Sequence, residues 1–224
     1  MIGTKAKALS LLLKGIVVLS AAVGVILSAI AGAQVFMGGN RVFMYFTIQS
    51  NIAIALVCAA GAGMLLRGRP VRDGWYVIKF VFTVSITLTG LVFCFVLAPT
   101  MRHAWSVTNV LTHVVVPVAA IADFLVTGPS GNIRKRSVIL VTIPPLLYAI
   151  YAGIAYAAGW EFSAGANYPY FFLNWGSPAG ALGFTSELPF MGCVWWILLI
   201  LLLLLAVGYG YLRILDFLKK RRNG

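Results

Sequence analysis

The chain has 224 residues, 61% hydrophobic and 10% charged, with 17 Lys and Arg against 5 Asp and Glu for a formal charge of +12. With a mean hydropathy of +0.97, this composition excludes an ordinary soluble domain and defines an integral membrane protein among membrane lipids. The charge does not indicate a nucleic-acid partner, because the basic residues sit in short loops and at the two ends, where they report topology.

A hydrocarbon core ~30 Å thick takes about 20 apolar residues per helix. The sequence predicts six such stretches in a single domain over 1–224, at about 8–32, 42–66, 76–98, 107–127, 138–158 and 189–212. The expected fold is an all-α, six-transmembrane helix bundle. Lys5 and Lys7 precede the first span, Arg67, Arg69 and Arg72 follow the second, Arg134 to Arg136 follow the fourth, and Lys219 to Arg222 close the chain. All these clusters share one side if the helices cross in order. The opposite connections carry only Arg41 and Arg102, so the positive-inside rule places both termini in the cytoplasm of a multi-pass cell-membrane protein.

In the first span, Lys5 and Lys7 before an apolar run ending in SAIAGAQ imitate a cleavable signal. The run from Ala8 to Phe36 is longer than a signal core, and Lys14 can snorkel to the cytoplasmic end, so the segment is expected to stay as a helix. The second span opens with FMYFTIQSN, in which Thr47, Gln49, Ser50 and Asn51 bring polarity to membrane depth. Thr47 and Asn51 are four apart and share a face that Ile54 and Cys58 continue. In the third span Thr83, Ser85, Thr87 and Thr89 spread around the helix, as interhelical hydrogen-bonding groups do.

The fourth span contains SVTNVLTHVVVP, which aligns Ser106, Asn109, His113 and Pro117 on one face. Counted from the span starts, Thr47 and His113 both fall ~8–10 Å below the outer boundary. A hydroxyl and an imidazole at one depth are the minimum parts for nucleophilic acyl transfer, the imidazole taking the hydroxyl proton while the oxygen attacks an ester carbonyl. Histidine's reference pKa near ~6.5 suits it to that base role. The plainer reading of the same residues is a threonine bonded to its own helix and a histidine that bridges helices. Cys58, Cys94 and Cys193 are odd in number, lack metal-ligand spacing and read as packing residues, Cys94 being an alternative nucleophile in the outer half of its helix. With no phosphate loop, dinucleotide fingerprint or zinc motif, and only His103 and His113 as histidines, no cofactor or metal is expected.

Three segments carry a resemblance: YFTIQSN, TNVLTHVVVPVAAIADFLV, and NYPYFFLN before the last helix. Together they resemble the androgen-induced and androgen-dependent TFPI-regulating family of six-helix membrane proteins, closest to its bacterial relatives, over most of the chain from the second helix to the sixth. The resemblance implies a membrane-embedded threonine hydrolase of fatty acid esters of hydroxy fatty acids or similar lipid esters, with one threonine and one histidine essential. By position these fall on Thr47 and His113. The spacing departs from the animal members, whose asparagine follows the threonine more closely than Asn51 does here.

On that reading a lipid ester enters from the outer leaflet, Thr47 attacks, and His113 accepts and returns the proton. Asn51, Asn109, Ser50 and Thr112 are the candidates for binding substrate or the oxyanion, and Asn109, one turn from His113, is expected to orient it. Asp123 lies ten residues past His113, ~15 Å along the helix, too far for a triad; it is expected near the cytoplasmic end, answered by Lys14, Lys79 or Arg134 to Arg136. The aromatic connection over 159–188 reads as an interfacial belt or as a lid that brings Tyr168 or Asn174 to the site. The alternative to an esterase is a non-catalytic lipid-binding or transport protein using the same polar pocket.

Overall fold

The computed structural model of the protein describes residues 3–32, 39–69 and 71–223, which are mostly helical, with two isolated β-bridges and no strand among them. Six helices are long and apolar enough to cross a membrane, as expected of a multi-pass protein: α1 Thr4–Gly32, α2 Phe46–Leu66, α3 Asp73–Thr100, α4 Val107–Ser130, α5 Lys135–Ala157 and α6 Cys193–Asn223. The expected continuation of the first helix to Phe36, with the end of SAIAGAQ, lies outside the described residues.

Three boundaries differ from the apolar runs, each for a local reason. Helix α2 begins at Phe46 rather than near 42, because Gly39–Met44 form a 3₁₀ turn and Tyr45 is extended at the N-cap. Thr47 therefore belongs to the first helical turn, where backbone N–H groups have no helical partner. Helix α5 starts as a 3₁₀ segment, Lys135–Thr142, and turns α-helical at Ile143, with Pro144 and Pro145 at positions that need no N–H. Helix α6 starts at Cys193 and runs on into the basic tail.

Helix α3 is central and α6 peripheral, with 56% and 17% of their most apolar windows buried. One cluster joins α3 to α6 through Phe80, Val84, Phe124, Val141, Leu204 and Tyr211. A second joins α1 to α4 through Val17, Ala21, Ile54, Cys58, Ile86 and Val116. Lipid tails are as apolar as these side chains, so close packing and interhelical hydrogen bonds must hold the helices together. Two glycines permit a close approach to α4. A Cβ on Gly24 would lie 2.6 Å from Thr112 Cγ2, and one on Gly90 would lie 3.0 Å from the His113 carbonyl oxygen. Helices α1 and α3 thus both close on one turn of α4.

The buried hydroxyls divide in function. Thr87 pairs with the Tyr211 hydroxyl at 2.8 Å and Thr89 with Ser50 at 2.7 Å, linking α3 to α6 and α2. Ser85 donates to the Val81 carbonyl of its own helix. Asp123, fully buried, accepts from Lys14 Nζ at 2.6 and 2.7 Å, from Lys79 Nζ at 2.5 Å and from Ser10 Oγ at 2.6 Å. Lys14 does not snorkel: it is 3% exposed, drawn inward by the carboxylate. Arg134 to Arg136 lie exposed instead.

Candidate functional site

The first turn of α2 meets the second turn of α4. Thr47 Oγ1 lies 3.3 Å from His113 Nε2. Thr47 is half-buried and His113 8% exposed, so the pair is withdrawn from the surface but reached by a cavity.

Both helices that carry the imidazole's surroundings are irregular where they reach it. In α4, Leu111–Val115 form a π turn, closed by a hydrogen bond from the Val116 N–H to the Leu111 carbonyl. Pro117 follows and has no N–H to return to the His113 carbonyl, the oxygen that Gly90 approaches. In α3, Phe93–Leu97 form a second π turn, and Phe93 stacks on His113 with ring centroids 3.9 Å apart and 21° between planes. Single π turns of this kind frequently interrupt α-helices at functional positions. Here they fix the ring plane of one imidazole from two sides.

The hydrogen bonds of that ring define its tautomer. His113 Nδ1 lies 3.1 Å from the Asn109 carbonyl oxygen, which can only accept, so Nδ1 carries the proton. Thr112 Oγ1 is 3.0 Å from the same nitrogen, while its own proton goes to the Thr108 carbonyl at 2.9 Å. Nε2 is left with a lone pair directed at the Thr47 hydroxyl. It is Asn109's carbonyl, not its side chain, that orients the ring; its amide donates to the Ala104 carbonyl at 2.8 Å.

The other expected residues distribute unevenly. Asn51 Nδ2 donates to the Thr47 carbonyl at 2.8 Å and the Thr112 carbonyl at 3.1 Å, so it clamps α2 to α4 and has no N–H left for an oxyanion. Ser50 faces α3, bonded to Thr89 and to the Thr47 carbonyl. Asn109 and Thr112 line the cavity beside His113. Asn174 accepts from the Gly176 N–H in a turn, and Tyr168 lines neither cavity at Thr47. Cys94 packs beside Phe93 and Ala98 and is likewise outside both cavities.

Sequence reasoning missed Tyr170. The 159–192 connection folds back into the bundle, burying Phe162, Phe172 and Leu173, and it sets the Tyr170 hydroxyl 3.4 Å from the Thr47 N–H and 3.5 Å from Thr47 Oγ1. Its ring packs edge-on to Tyr45 at 5.8 Å and is stacked on Phe172 at 5.0 Å. Burial pushes its phenol above the usual ~10, so it carries a proton over the whole physiological range. Nothing in NYPYFFLN distinguishes Tyr170 from Tyr168, since an irregular loop has no periodicity to read.

Two cavities meet at Thr47. One of about 350 Å³ lies among α1 to α4 and includes Ser28, Ser106, Thr108, Asn109, Thr112 and His113 in its wall. The other, about 60 Å³, lies among α2, α3, α5 and α6 beneath the connection and is walled by Leu88, Tyr148, Ala149, Leu173, Ile197 and Ile200. Thr47, Leu97 and Tyr170 line both.

Fold and site together define a polytopic helical membrane protein with a buried hydroxyl–imidazole pair at the junction of two cavities. Compared with known protein families, curated proteins and solved structures, the chain matches none.

Proposed function

We propose that the protein is a membrane-embedded lipid ester hydrolase with Thr47 as nucleophile and His113 as general base, of the kind its resemblance to the six-helix threonine hydrolases implies. The observation that carries this is the 3.3 Å approach of Thr47 Oγ1 to an unprotonated Nε2 whose partner nitrogen is held by a carbonyl. A histidine that only bridged helices would require neither that tautomer nor a cavity at the hydroxyl. In the proposed orientation the basic clusters and both termini face the cytoplasm, and the site lies in the outer half of the bilayer.

Thr47 Oγ1 gives its proton to His113 Nε2 and bonds to the ester carbonyl carbon. Two donors suit the developing oxyanion: the Thr47 N–H, in the positive first turn of α2, and the Tyr170 O–H. The tetrahedral species collapses, the alkoxide leaves with the proton from Nε2, and water attacks the acyl-threonine with the same imidazole as base. Fatty acid esters of hydroxy fatty acids and similar lipid esters are the expected substrates.

The test is turnover of a panel of branched lipid esters by purified protein, with Thr47→Ala and His113→Ala each lowering kcat by roughly 10³-fold or more. A phosphonate probe labels the wild type and not Thr47→Ala. Turnover by both variants at the wild-type rate overturns the assignment of these two residues, and absence of turnover by the wild type across the panel leaves a lipid-binding or transport protein.

A further inference from the structure

Resting on the ester-hydrolase reading, we infer that the two cavities sort the arms of the substrate: the acyl chain lies in the narrow apolar cavity among α2, α3, α5 and α6, and the alcohol arm in the wider hydroxyl-lined cavity among α1 to α4.

The inference follows from where the proton must travel. Thr47 stands at the junction, but His113 lines only the wider cavity. The imidazole that takes the Thr47 proton must give it to the departing alkoxide oxygen, which therefore sits within reach of Nε2, on the wider side. The substituent on the other side of the carbonyl carbon is the acyl chain, directed at Leu88, Ala149 and Ile200. Deacylation requires the same geometry. Water has to reach the acyl-threonine through the base, so the space beside His113 must empty when the alcohol leaves, with the acyl chain held elsewhere. In each half-reaction one C–O bond forms and one breaks, and the proton passes from Thr47 to the alcohol and then from water back to Thr47.

Size and polarity agree with this direction. The narrow cavity is walled almost wholly by apolar groups, and its Thr89 and Tyr148 hydroxyls are already engaged with Ser50 and the Met44 carbonyl, so a polar substituent there finds few partners. The cavity of about 350 Å³ offers Ser28, Ser106, Thr108 and Asn109 to a branched or hydroxylated alcohol.

Wild-type protein tests this with two isomeric esters, the monodecanoate of decanediol, whose free hydroxyl is on the alcohol arm, and decyl hydroxydecanoate, whose terminal hydroxyl is on the acyl arm. The expected result is a kcat/KM at least ~10-fold higher for the monodecanoate, abolished for both by Thr47→Ala. In a second arm, Ala149→Phe shortens the longest acyl chain accepted and leaves the dependence on alcohol length unchanged, while Ala31→Phe, in the wall of the wider cavity, does the reverse. Equal or inverted isomer preference with activity still dependent on Thr47 overturns the sorting alone. Hydrolysis that persists in Thr47→Ala overturns Thr47 as the nucleophile and the sorting with it.

Discussion

Replacing Asp123 with asparagine removes one charge and strands two. Lys14 and Lys79 share its Oδ2 at 2.7 and 2.5 Å, so their ammoniums stand within ~5 Å of each other. At that distance, and an effective dielectric constant near ~20, they repel by ~3 kcal/mol once the carboxylate is gone. Both lysines are 3% exposed and neither can turn to water. Breaking a buried ion pair from one side costs ~3–5 kcal/mol, and the repulsion puts Asp123→Asn within that range. The assay is equilibrium unfolding in mixed micelles, followed by tryptophan fluorescence. The triple variant Lys14→Met, Asp123→Leu, Lys79→Met removes every charge together and should recover most of the loss, since well-packed apolar replacements of buried ion networks are commonly neutral. A loss below ~1 kcal/mol for Asp123→Asn, or a triple variant as unstable as the single one, would refute this account of the cluster.

Tyr170→Phe should lower kcat by ~10²-fold or more with little change in KM, as expected of an oxyanion donor; steady-state kinetics on one ester decides it, and a rise in KM alone would make Tyr170 a packing residue. Asn51→Ala releases the carbonyls of Thr47 and Thr112 and should cost ~2–3 kcal/mol by the same unfolding assay. Asn51→Asp should not rescue it, because a carboxylate cannot donate to a carbonyl; full stability in either variant removes the clamp. Gly90→Val pushes a side chain against the His113 carbonyl and Pro117, so it should cost ~1–3 kcal/mol and reduce turnover. Wild-type turnover in that variant would mean that the approach of α3 to α4 does not hold the ring.

The number and order of the helices were legible because each needs a run of apolar residues, and basic clusters mark every second break between those runs. The N-terminus of α2 was misread because Val42, Phe43 and Met44 are as apolar as the helix itself, while Gly39 has a positive φ of 44° in the turn that delays it. Thr47 and His113 were legible as polar residues where polarity must have a reason, and their helical faces were readable from spacing. Their contact was not, since nothing local encodes which helices touch. Spacing put Asn51 and Asn109 on the right faces but did not reveal which carbonyls would take their amide hydrogens, Thr47 and Thr112 for Asn51 and Ala104 for Asn109, nor that Asn109 would orient the ring through its backbone. For Lys14 the sequence left both snorkelling and pairing with Asp123 open, because the two look alike until the carboxylate on α4 is placed beside it.

The polar groups of this bundle gather at two levels that have opposite requirements. Around Asp123 every ammonium hydrogen has a partner: Lys14 donates to Ser10 and both carboxylate oxygens, and Lys79 to Thr127, the Asp123 carbonyl and Oδ2. A level so fully satisfied leaves no ammonium hydrogen free for a ligand, and it fixes α1, α3 and α4 against one another. Around Thr47 the satisfaction is incomplete. The Nε2 lone pair and the Thr47 N–H have only long contacts, at 3.3 and 3.4 Å, and two cavities open beside them. Helices locked at one level can hold π turns and under-bonded groups at the other, and on the hydrolase reading under-bonded groups are what a reacting ester requires. Loosening the Asp123 level should therefore slow the chemistry even though it lies roughly 15 Å along α4 from the imidazole, by letting the two π turns relax toward ordinary helix and the ring turn away from Thr47.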